Sequence, residues 1–164
     1  LIITLYRMMD DQLLMDNIIP NIKLVKSHPD AQLPTANNNT SLTGDTGYDL
    51  YSVEGCYIPP GESKCIEVGL TLAFVEPGYW IQIMPRSGLG FSKGLQPHLG
   101  VIDNQYRGNL AVKLYNFSDE PAALSKGDRI AQIIIHRLHQ ADFEFVDKVS
   151  ETSRGSKGLG SSGR

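Results

Sequence analysis

The chain has 164 residues, of which 41% are hydrophobic and 20% are charged, and its formal net charge is −3. This composition is ordinary for a globular protein that is large enough to bury a core. No apolar run approaches the roughly 20 residues that a membrane helix needs. The slight negative charge provides no cationic field, which disfavours nucleic acid as the main partner. We therefore expect neither a membrane nor a nucleic acid to be a principal partner.

The first twenty residues differ in character from the rest of the chain. They contain three aspartates among apolar residues and one basic residue, Arg7. A secretory signal needs a basic start and an unbroken apolar core, and a mitochondrial leader needs arginines and few acids, so neither pattern is present. We interpret residues 1–20 as a loosely ordered N-terminal extension, followed by a β-domain over 21–149. We expect the protein to be intracellular, most simply cytoplasmic.

The domain is built from short apolar runs separated by Gly, Pro and Asn, a pattern typical of strands joined by tight turns. It predicts an all-β fold, a sandwich or jelly-roll-like barrel. Turns at Pro59-Pro60-Gly61 and Glu76-Pro77-Gly78 predict that the flanking strands pair as hairpins. The predicted strands are 22–26, 46–52, 57–58, 64–68, 70–74, 79–84, 101–102, 109–116, 129–136 and 143–146.

Three local features add to this description. The segment 85–90 is small and polar, and Ser87 is a candidate N-cap for one helical turn reaching about Lys93. The run 129–136 is almost continuously apolar, which predicts a strand buried on both faces. The cysteines form neither a disulfide framework nor a metal quartet, so we expect Cys56 and Cys65 to be reduced thiols, although a hairpin could bring them close.

The stretch 100–108 reads as a strand, a polar turn and a second strand, with glycines at both ends. Such a hairpin could hold a flat ligand against its open backbone, with the carboxylate of Asp103 and the ring of Tyr106 close by. The alternative is an ordinary surface hairpin in which Asp103 and Asn104 only form the turn.

The last fifteen residues, 150–164, are rich in glycine and serine and have almost no apolar content. They form either a flexible tail or an arm that orders around phosphate, because glycine leaves backbone N–H groups free to face an anion.

Five segments occur here in the order found in the trimeric deoxyuridine triphosphatase (dUTPase) family, which the chain resembles from about Ile22 to its C-terminus. Together they make a chance likeness very improbable. The five segments are Thr46-Gly-Tyr-Asp-Leu-Tyr-Ser52, Pro85-Arg-Ser-Gly-Leu89, Gly100-Val-Ile-Asp-Asn-Gln-Tyr-Arg-Gly108, Lys126-Gly-Asp-Arg-Ile-Ala-Gln132 and Arg154-Gly-Ser-Lys-Gly-Leu-Gly-Ser-Ser-Gly163.

The resemblance implies a jelly-roll-like β-clip subunit that forms a homotrimer with three active sites. The C-terminal arm of one subunit closes over a pocket made by its neighbours. The implied reaction is the Mg²⁺-dependent hydrolysis of dUTP to dUMP and pyrophosphate, in which an activated water attacks the α-phosphorus. That reaction limits uracil in DNA and supplies dUMP for thymidylate synthesis.

The resemblance also implies roles for the residues of the stretch 100–108. Asp103 matches the carboxylate that orients and deprotonates the attacking water and meets the sugar 3′-hydroxyl. Tyr106 matches the ring that packs under the deoxyribose and leaves no room for a 2′-hydroxyl. The backbone of Gly100, Val101 and Ile102 matches the segment that pairs with the edge of uracil.

Arg86, Ser87 and Gly88 match the phosphate-binding segment, because they offer a guanidinium fork, a hydroxyl and a bare N–H. Gln132 matches a contact to the phosphate chain and is also a candidate to reach the metal through its bound waters. Asp49 matches the acid that reaches the waters of the Mg²⁺ ion.

Two further groups of residues are interpreted in the same way. Asp128 and Arg129 are expected to shape a turn, and His136 and His139 to be surface or packing residues because no ligand cluster accompanies them. In the arm, the resemblance assigns substrate contacts to Arg154, Leu159, Gly160, Ser161 and Ser162.

Leu159 is a departure, because the family usually has phenylalanine there, stacked over uracil. Leucine covers a base without stacking, and an aromatic contact is worth about 0.5–1.5 kcal/mol beyond its buried area. We expect Leu159→Phe to lower the KM for dUTP several-fold in steady-state assays with little change in kcat. An unchanged or higher KM would count against this placement.

Two other functions remain open at this point. A dCTP deaminase, or a bifunctional deaminase and dUTPase, shares the fold and would release ammonia from dCTP. A non-catalytic trimeric module that binds a nucleotide or a protein partner is the other, although the presence of Asp103 disfavours it.

Overall fold

A computed structural model of the chain describes residues 19–37, 43–156 and 158. Ten strands and one helix are found in these ranges, which confirms the all-β prediction. The helix has seven residues and is too short to cross a membrane. The elements are β1 (Ile22–Lys26), β2 (Tyr48–Tyr51), β3 (Cys56–Ile58), β4 (Ser63–Val75), β5 (Tyr79–Met84), α1 (Ser87–Lys93), β6 (Leu95–Pro97), β7 (Gly100–Ile102), β8 (Asn109–Asn116), β9 (Ala122–Leu124) and β10 (Arg129–Arg137).

The strands form two four-stranded sheets and one two-stranded ribbon. Sheet 1 has the order β1-β4-β8-β6, sheet 2 has the order β2-β10-β5-β7, and β3 pairs with β9. The alternating burial along β8 and β4 shows one face of sheet 1 turned inward. Aliphatic side chains from both sheets fill the core between them, including Leu72 and Val112 from sheet 1 and Ile81 and Ile133 from sheet 2.

The predicted strand positions are largely confirmed, but the three predicted hairpins are wrong. The strand β3 pairs with β9 rather than β4, and β4 pairs with β1 and β8 rather than β5. Likewise, β7 pairs with β5, whereas β8 pairs with β4 and β6. The turns after β4 and β7 do reverse the chain, but they carry it from one sheet to the other. A turn signal in the sequence predicts where the chain changes direction, but it does not predict with which strand the next strand pairs.

The strand β4 is longer than predicted because Gly69 lies inside it. Gly69 has a φ of +68°, and the register with β8 shifts between Glu67 and Thr71. A side chain at position 69 would collide with His28 and Val53. The predicted break is therefore a bulge within one continuous strand.

Two predictions about the last third of the chain are wrong. The strand β10 is not buried on both faces along its length, because Ile130, Ala131 and Ile133 are buried whereas Gln132 and residues 134–137 are half-buried. His136 stacks on Trp80 with ring centroids 4.5 Å apart, so its predicted packing role is confirmed. Residues 143–146 form no strand, and they lie exposed beyond the last paired residue of the sandwich.

The helix α1 follows the predicted range, but Ser87 is not its cap. Arg86 occupies the N-cap position and its side chain makes no capping hydrogen bond to the helix, and Ser87 is the first helical residue. The C-terminal end is closed by Gly94, whose φ of +63° is left-handed. The cysteines are free thiols, as predicted, and burial raises the pKa of the Cys56 thiol.

Candidate functional site

Two open clefts contain most of the candidate residues that the structure describes. The first, which we call the crossover cleft, lies where the chain passes from β7 in sheet 2 to β8 in sheet 1, and its volume is about 320 Å³. The lining residues are Ile83, Val101, Ile102, Asp103, Tyr106, Asn109, Leu110 and Ala111. It therefore brings together a carboxylate, an aromatic ring and an edge strand.

The backbone of β7 is open on one side because the strand is at the edge of sheet 2. It pairs with β5 through Gly100, Val101 and Ile102, and no other strand of the described chain flanks it. An edge strand presents N–H and C=O groups that can pair with the edge of a planar ligand. The loss of the expected hairpin thus leaves this backbone accessible instead of pairing it with β8.

The Tyr106 ring is fixed by contacts within its own loop. Its hydroxyl donates to the carbonyl oxygen of Asn109 at 2.8 Å, and its amide donates to the carbonyl oxygen of Asp103 at 3.0 Å. A β-carbon on Gly108 would lie 2.2 Å from the Tyr106 hydroxyl, so glycine is needed there for the ring to fold back. Asp103 is exposed at the mouth of the cleft, where water can reach it.

The second cleft, which we call the arginine cleft, lies against the outer face of sheet 2 and has a volume of about 300 Å³. Four separated parts of the chain contribute to it. The lining residues are Asn37, Asp45, Thr46, Gly47, Asp49, Arg86, Ser87, Gly88, Gln132 and Ile134. Guanidinium, hydroxyl and backbone donors at one place are suited to binding an anion.

Asp49 lies at the base of the arginine cleft and is shared by two arginines. Arg86 Nε donates to Asp49 Oδ1 at 2.6 Å, and Arg129 Nη1 donates to Asp49 Oδ2 at 3.3 Å. Arg86 Nη1 also donates to the carbonyl oxygen of Arg129 at 3.4 Å. Because two cations share one buried carboxylate, the trio retains a net positive charge, and the guanidinium of Arg86 is held in one orientation.

Gln132, on β10, lines the same cleft, and its side chain is held in place by a hydrogen bond. Its Nε2 donates to the carbonyl oxygen of Pro85 at 2.8 Å, and its side chain passes directly over Gly47. Pro85 immediately precedes Arg86, so this bond anchors the segment that provides Arg86, Ser87 and Gly88.

The two clefts are built on different parts of sheet 2. Gln132 is paired with Asp49 and Met84, and Ile133 is paired with Ile83. Cross-strand partners point to the same face and successive residues point to opposite faces. Gln132 therefore faces the arginine cleft, whereas Ile83 faces the crossover cleft. The arginine cleft thus lies over β2, β10 and the end of β5, whereas the crossover cleft lies at the β7 edge, where Val101 comes from the outer face and Ile83 from the inner face.

Sequence reasoning placed Arg129 in a turn and missed its contact with Asp49. The turn itself is confirmed, because Asp128 Oδ2 accepts from the amide of Ser125 at 2.8 Å. The pairing of β10 with β2 brings Arg129 to Asp49, and the signal available in the sequence was only a charged residue at the start of an apolar strand.

Other candidates lie away from both clefts or cannot be described. Arg154 is exposed and lines neither cleft. Leu159, Gly160, Ser161 and Ser162 lie outside the described residues.

Within the described ranges, no group of three or more His, Cys, Asp and Glu residues is arranged to hold a metal ion. Mg²⁺ differs from ions that need such a cage, because it keeps several waters and takes oxygens from substrate phosphates. A carboxylate has about four lone-pair positions, so Asp49 can accept from a metal-bound water while it is paired with both arginines. The carboxylate of Asp49 therefore fits the bound waters of a magnesium ion that arrives with a polyphosphate.

The model of the dUTPase family matches residues 34–163. The chain belongs to the dUTPase family. Deoxyuridine 5′-triphosphate nucleotidohydrolase of Wolinella succinogenes is 40% identical over 145 residues, which cover 87% of this chain and 94% of that protein. The Helicobacter pylori strain 26695 protein of the same name is 38% identical over 144 residues, covering 87% and 96%.

Solved dUTPase structures share the fold. The dUTPase of Staphylococcus bacteriophage 80alpha with dUpNHpp superposes with a TM-score of 0.77 at 26% identity, covering 88% of this chain and 99% of that one. A mutant of the dUTPase from phage phi11 of S. aureus, described with a structural Mg(II) ion, has a TM-score of 0.69 at 21% identity, with coverage of 80% and 99%. The second likeness concerns the fold alone. Both structures have the same fold as this chain.

Proposed function

We propose that this chain hydrolyses dUTP to dUMP and pyrophosphate, with Mg²⁺, as a homotrimer. The observation that carries the proposal is the chemistry of the two clefts. The crossover cleft suits a base and a sugar, because it offers an edge-strand backbone and a fixed tyrosine ring. The arginine cleft suits a polyphosphate, because Arg86, Ser87 and Gly88 offer guanidinium, hydroxyl and backbone donors at one place. Membership of the dUTPase family and the names of the relatives support the same reaction.

The trimer is proposed from the family resemblance and from the position of the clefts. One cleft is at the β7 edge and the other is on the outer face of sheet 2, so we infer that a nucleotide that uses both lies between two copies of the chain, as the family resemblance implies. One copy would contribute the crossover cleft and its neighbour the arginine cleft. Closed cyclic symmetry then gives equivalent sites around a ring, and the family resemblance favours three.

In the crossover cleft, the free N–H and C=O groups of Gly100, Val101 and Ile102 would pair with uracil. They distinguish uracil from cytosine because the two bases have different donor and acceptor patterns. The Tyr106 ring would lie under the deoxyribose and exclude a 2′-hydroxyl by steric conflict.

Asp103 is the proposed general base. Its exposed carboxylate would accept a proton from a water as that water's oxygen forms a bond to the α-phosphorus. The bond from the α-phosphorus to the bridging oxygen breaks, and the electron pair leaves with pyrophosphate. A base on a positioned loop can act when the water is within hydrogen-bond reach.

In the arginine cleft, Arg86, Ser87, Gly88 and Gln132 would bind the phosphate chain. Arg86 would stabilise the charge that develops on pyrophosphate, since it is already oriented by Asp49. When bound, Mg²⁺ would neutralise phosphate charge and fix the shape of the triphosphate. Asp49 would accept from the waters of that ion.

The arm would complete the site from a further copy. Arg154, Gly160, Ser161 and Ser162 would hold the γ-phosphate, and Leu159 would cover the uracil. Donors from a glycine-rich segment can enclose an anion once a ligand orders them.

The deciding experiment measures pyrophosphate release in the presence of Mg²⁺ with dUTP, UTP, dTTP and dCTP. We expect release from dUTP alone at low concentrations and a trimeric mass by light scattering. Ammonia release from dCTP would support the deaminase alternative. A protein that leaves dUTP intact would contradict the proposal, and a monomeric mass would contradict the composite site.

A further inference from the structure

We propose that Gly47 is a positioning residue, which sets the orientation of the Gln132 amide in the arginine cleft and through it the affinity for the phosphate chain. This inference rests on the proposed function, because it assigns a role within the phosphate-binding half. Gly47 itself has no side chain with which to contact a substrate, so it acts only through Gln132.

The backbone does not explain why glycine occupies this position. Gly47 is buried just before β2, and its φ is outside the left-handed range that favours glycine. An alanine could therefore adopt the same backbone conformation without strain.

Glycine is required at position 47 because the space next to its α-carbon is occupied. A β-carbon at this position would lie 1.9 Å from Gln132 Oε1 and 2.6 Å from Gln132 Cδ. These distances are far below a normal van der Waals contact, so even one methyl group and the observed glutamine conformer exclude each other. The glutamine amide occupies the volume that a side chain would fill.

The amide is held from its other end as well. Gln132 Nε2 donates one hydrogen to the carbonyl oxygen of Pro85 at 2.8 Å, while Oε1 rests against Gly47. An amide nitrogen has two hydrogens, so a second donor remains for a phosphate oxygen in the cleft that Gln132 lines. The close approach to Gly47 and the bond to Pro85 together select one amide orientation.

A methyl group at position 47 should change binding more than folding. The atoms that it meets are at the end of a flexible side chain, which can rotate away without moving the backbone. Rotation would break the bond to Pro85 and turn the second N–H away from the ligand. A hydrogen bond to a charged group contributes about 1.5–3 kcal/mol, which corresponds to at least about a ten-fold loss of affinity.

The test compares Gly47→Ala, Gln132→Ala and the double variant in a double-mutant cycle. Binding of inorganic pyrophosphate with Mg²⁺ is measured by calorimetry, and the kcat and KM for dUTP are measured in parallel. Gly55→Ala is the matched control, because position 55 is outside both clefts, its φ is not left-handed, and the nearest atom to an added β-carbon is 3.4 Å away.

We expect Gly47→Ala to weaken pyrophosphate binding about ten-fold, to raise KM more than it lowers kcat, and to leave dUMP binding unchanged. The double variant should bind no more weakly than Gln132→Ala alone, because the glycine acts through the glutamine. Gly55→Ala should match the unmodified protein.

Additive losses in the double variant, or unchanged pyrophosphate binding in Gly47→Ala, would overturn the inference. Absence of pyrophosphate binding to the unmodified protein would overturn it as well. Should Gly47→Ala not fold, the double variant decides, since removing the glutamine should restore folding and failure to do so rejects the inference. Calorimetry needs no turnover, so failure of the proposed function would instead appear as intact dUTP in the unmodified protein's assay.

Discussion

The crossover cleft and the arginine cleft differ in how the chain builds them. Apart from Ile83, the crossover cleft is lined by residues 101–111, one short stretch. The arginine cleft takes its lining from position 37, from 45–49, from 86–88 and from 132–134. A local stretch can show its chemistry in the sequence, whereas a cleft made of distant parts depends on strand pairing.

The clefts also differ in their interactions with a ligand. In the arginine cleft, Arg86 and Arg129 are already bound to Asp49, whose side chain is only 12% exposed. In the crossover cleft, backbone groups and the exposed Asp103 carboxylate are open to water. We infer that one cleft is organised before binding to hold charge and that the other is open to admit a base, a sugar and a water. Variants of each cleft should therefore have separable effects.

The largest effect is expected at Asp103, which lies in the crossover cleft but acts on the phosphate. Asp103→Asn should reduce kcat by about 10²–10⁴-fold, because that is what general-base catalysis typically supplies. Binding of a non-hydrolysable dUTP analogue should change little, since asparagine is nearly the same shape. Pyrophosphate release and calorimetry measure the two properties, and Asp119→Asn, exposed and outside both clefts, is the control. An active Asp103→Asn enzyme would remove this residue as the base.

Removal of residues 151–164 tests whether the two clefts suffice without the arm. We expect turnover to fall about 100-fold, similar to the loss of a donor that stabilises transition-state charge. The trimer should persist in light scattering, because the strands of the sandwich end at Arg137. Dissociation into monomers would contradict the assignment of this segment as an arm.

Arg129→Gln should affect the arginine cleft alone. The variant removes one of the two cations at Asp49, so the trio becomes neutral and Arg86 loses part of its support. We expect pyrophosphate binding to weaken roughly ten-fold, with dUMP binding unchanged, as measured by calorimetry. The Arg129 side chain is 45% exposed, so we expect little change in stability. Equal losses for both ligands would show that the clefts are not separable, and Lys148→Gln is the matched surface control.

Tyr106→Phe should produce the smallest effect, confined to the crossover cleft. It keeps the ring but removes the hydrogen bond to the Asn109 carbonyl oxygen, a bond worth about 0.5–1.5 kcal/mol. The ring should become less firmly fixed, so the preference in kcat/KM for dUTP over UTP should fall a few-fold. Pyrophosphate binding should stay the same, and Tyr57→Phe on β3 provides a control. An unchanged preference would show that packing alone fixes the ring.

Much of the fold was predictable because strands and turns have local signals. The strands at 22–26, 79–84 and 109–116 and the end of α1 near Lys93 are where the patterns indicate. Apolar alternation and glycine placement depend on neighbours in the chain, so they can be read without knowing the fold. The pairing of those strands could not be read in this way, and all three predicted hairpins proved to be connections between different partners.

The sequence by itself determined which chemical groups are available: the Asp103 carboxylate, the Tyr106 ring, the Arg86 guanidinium and the glycine-rich arm. Only the tertiary structure decided how they are grouped. The pairing of β10 with β2 and β5 seats Gln132 over Gly47 and joins Arg129 to Asp49, which is 80 positions away in the chain. The same pairing puts the arginine cleft on the outer face of sheet 2 and leaves the crossover cleft at the β7 edge. No local pattern specifies such contacts, because they depend on which strand edges meet in the folded chain.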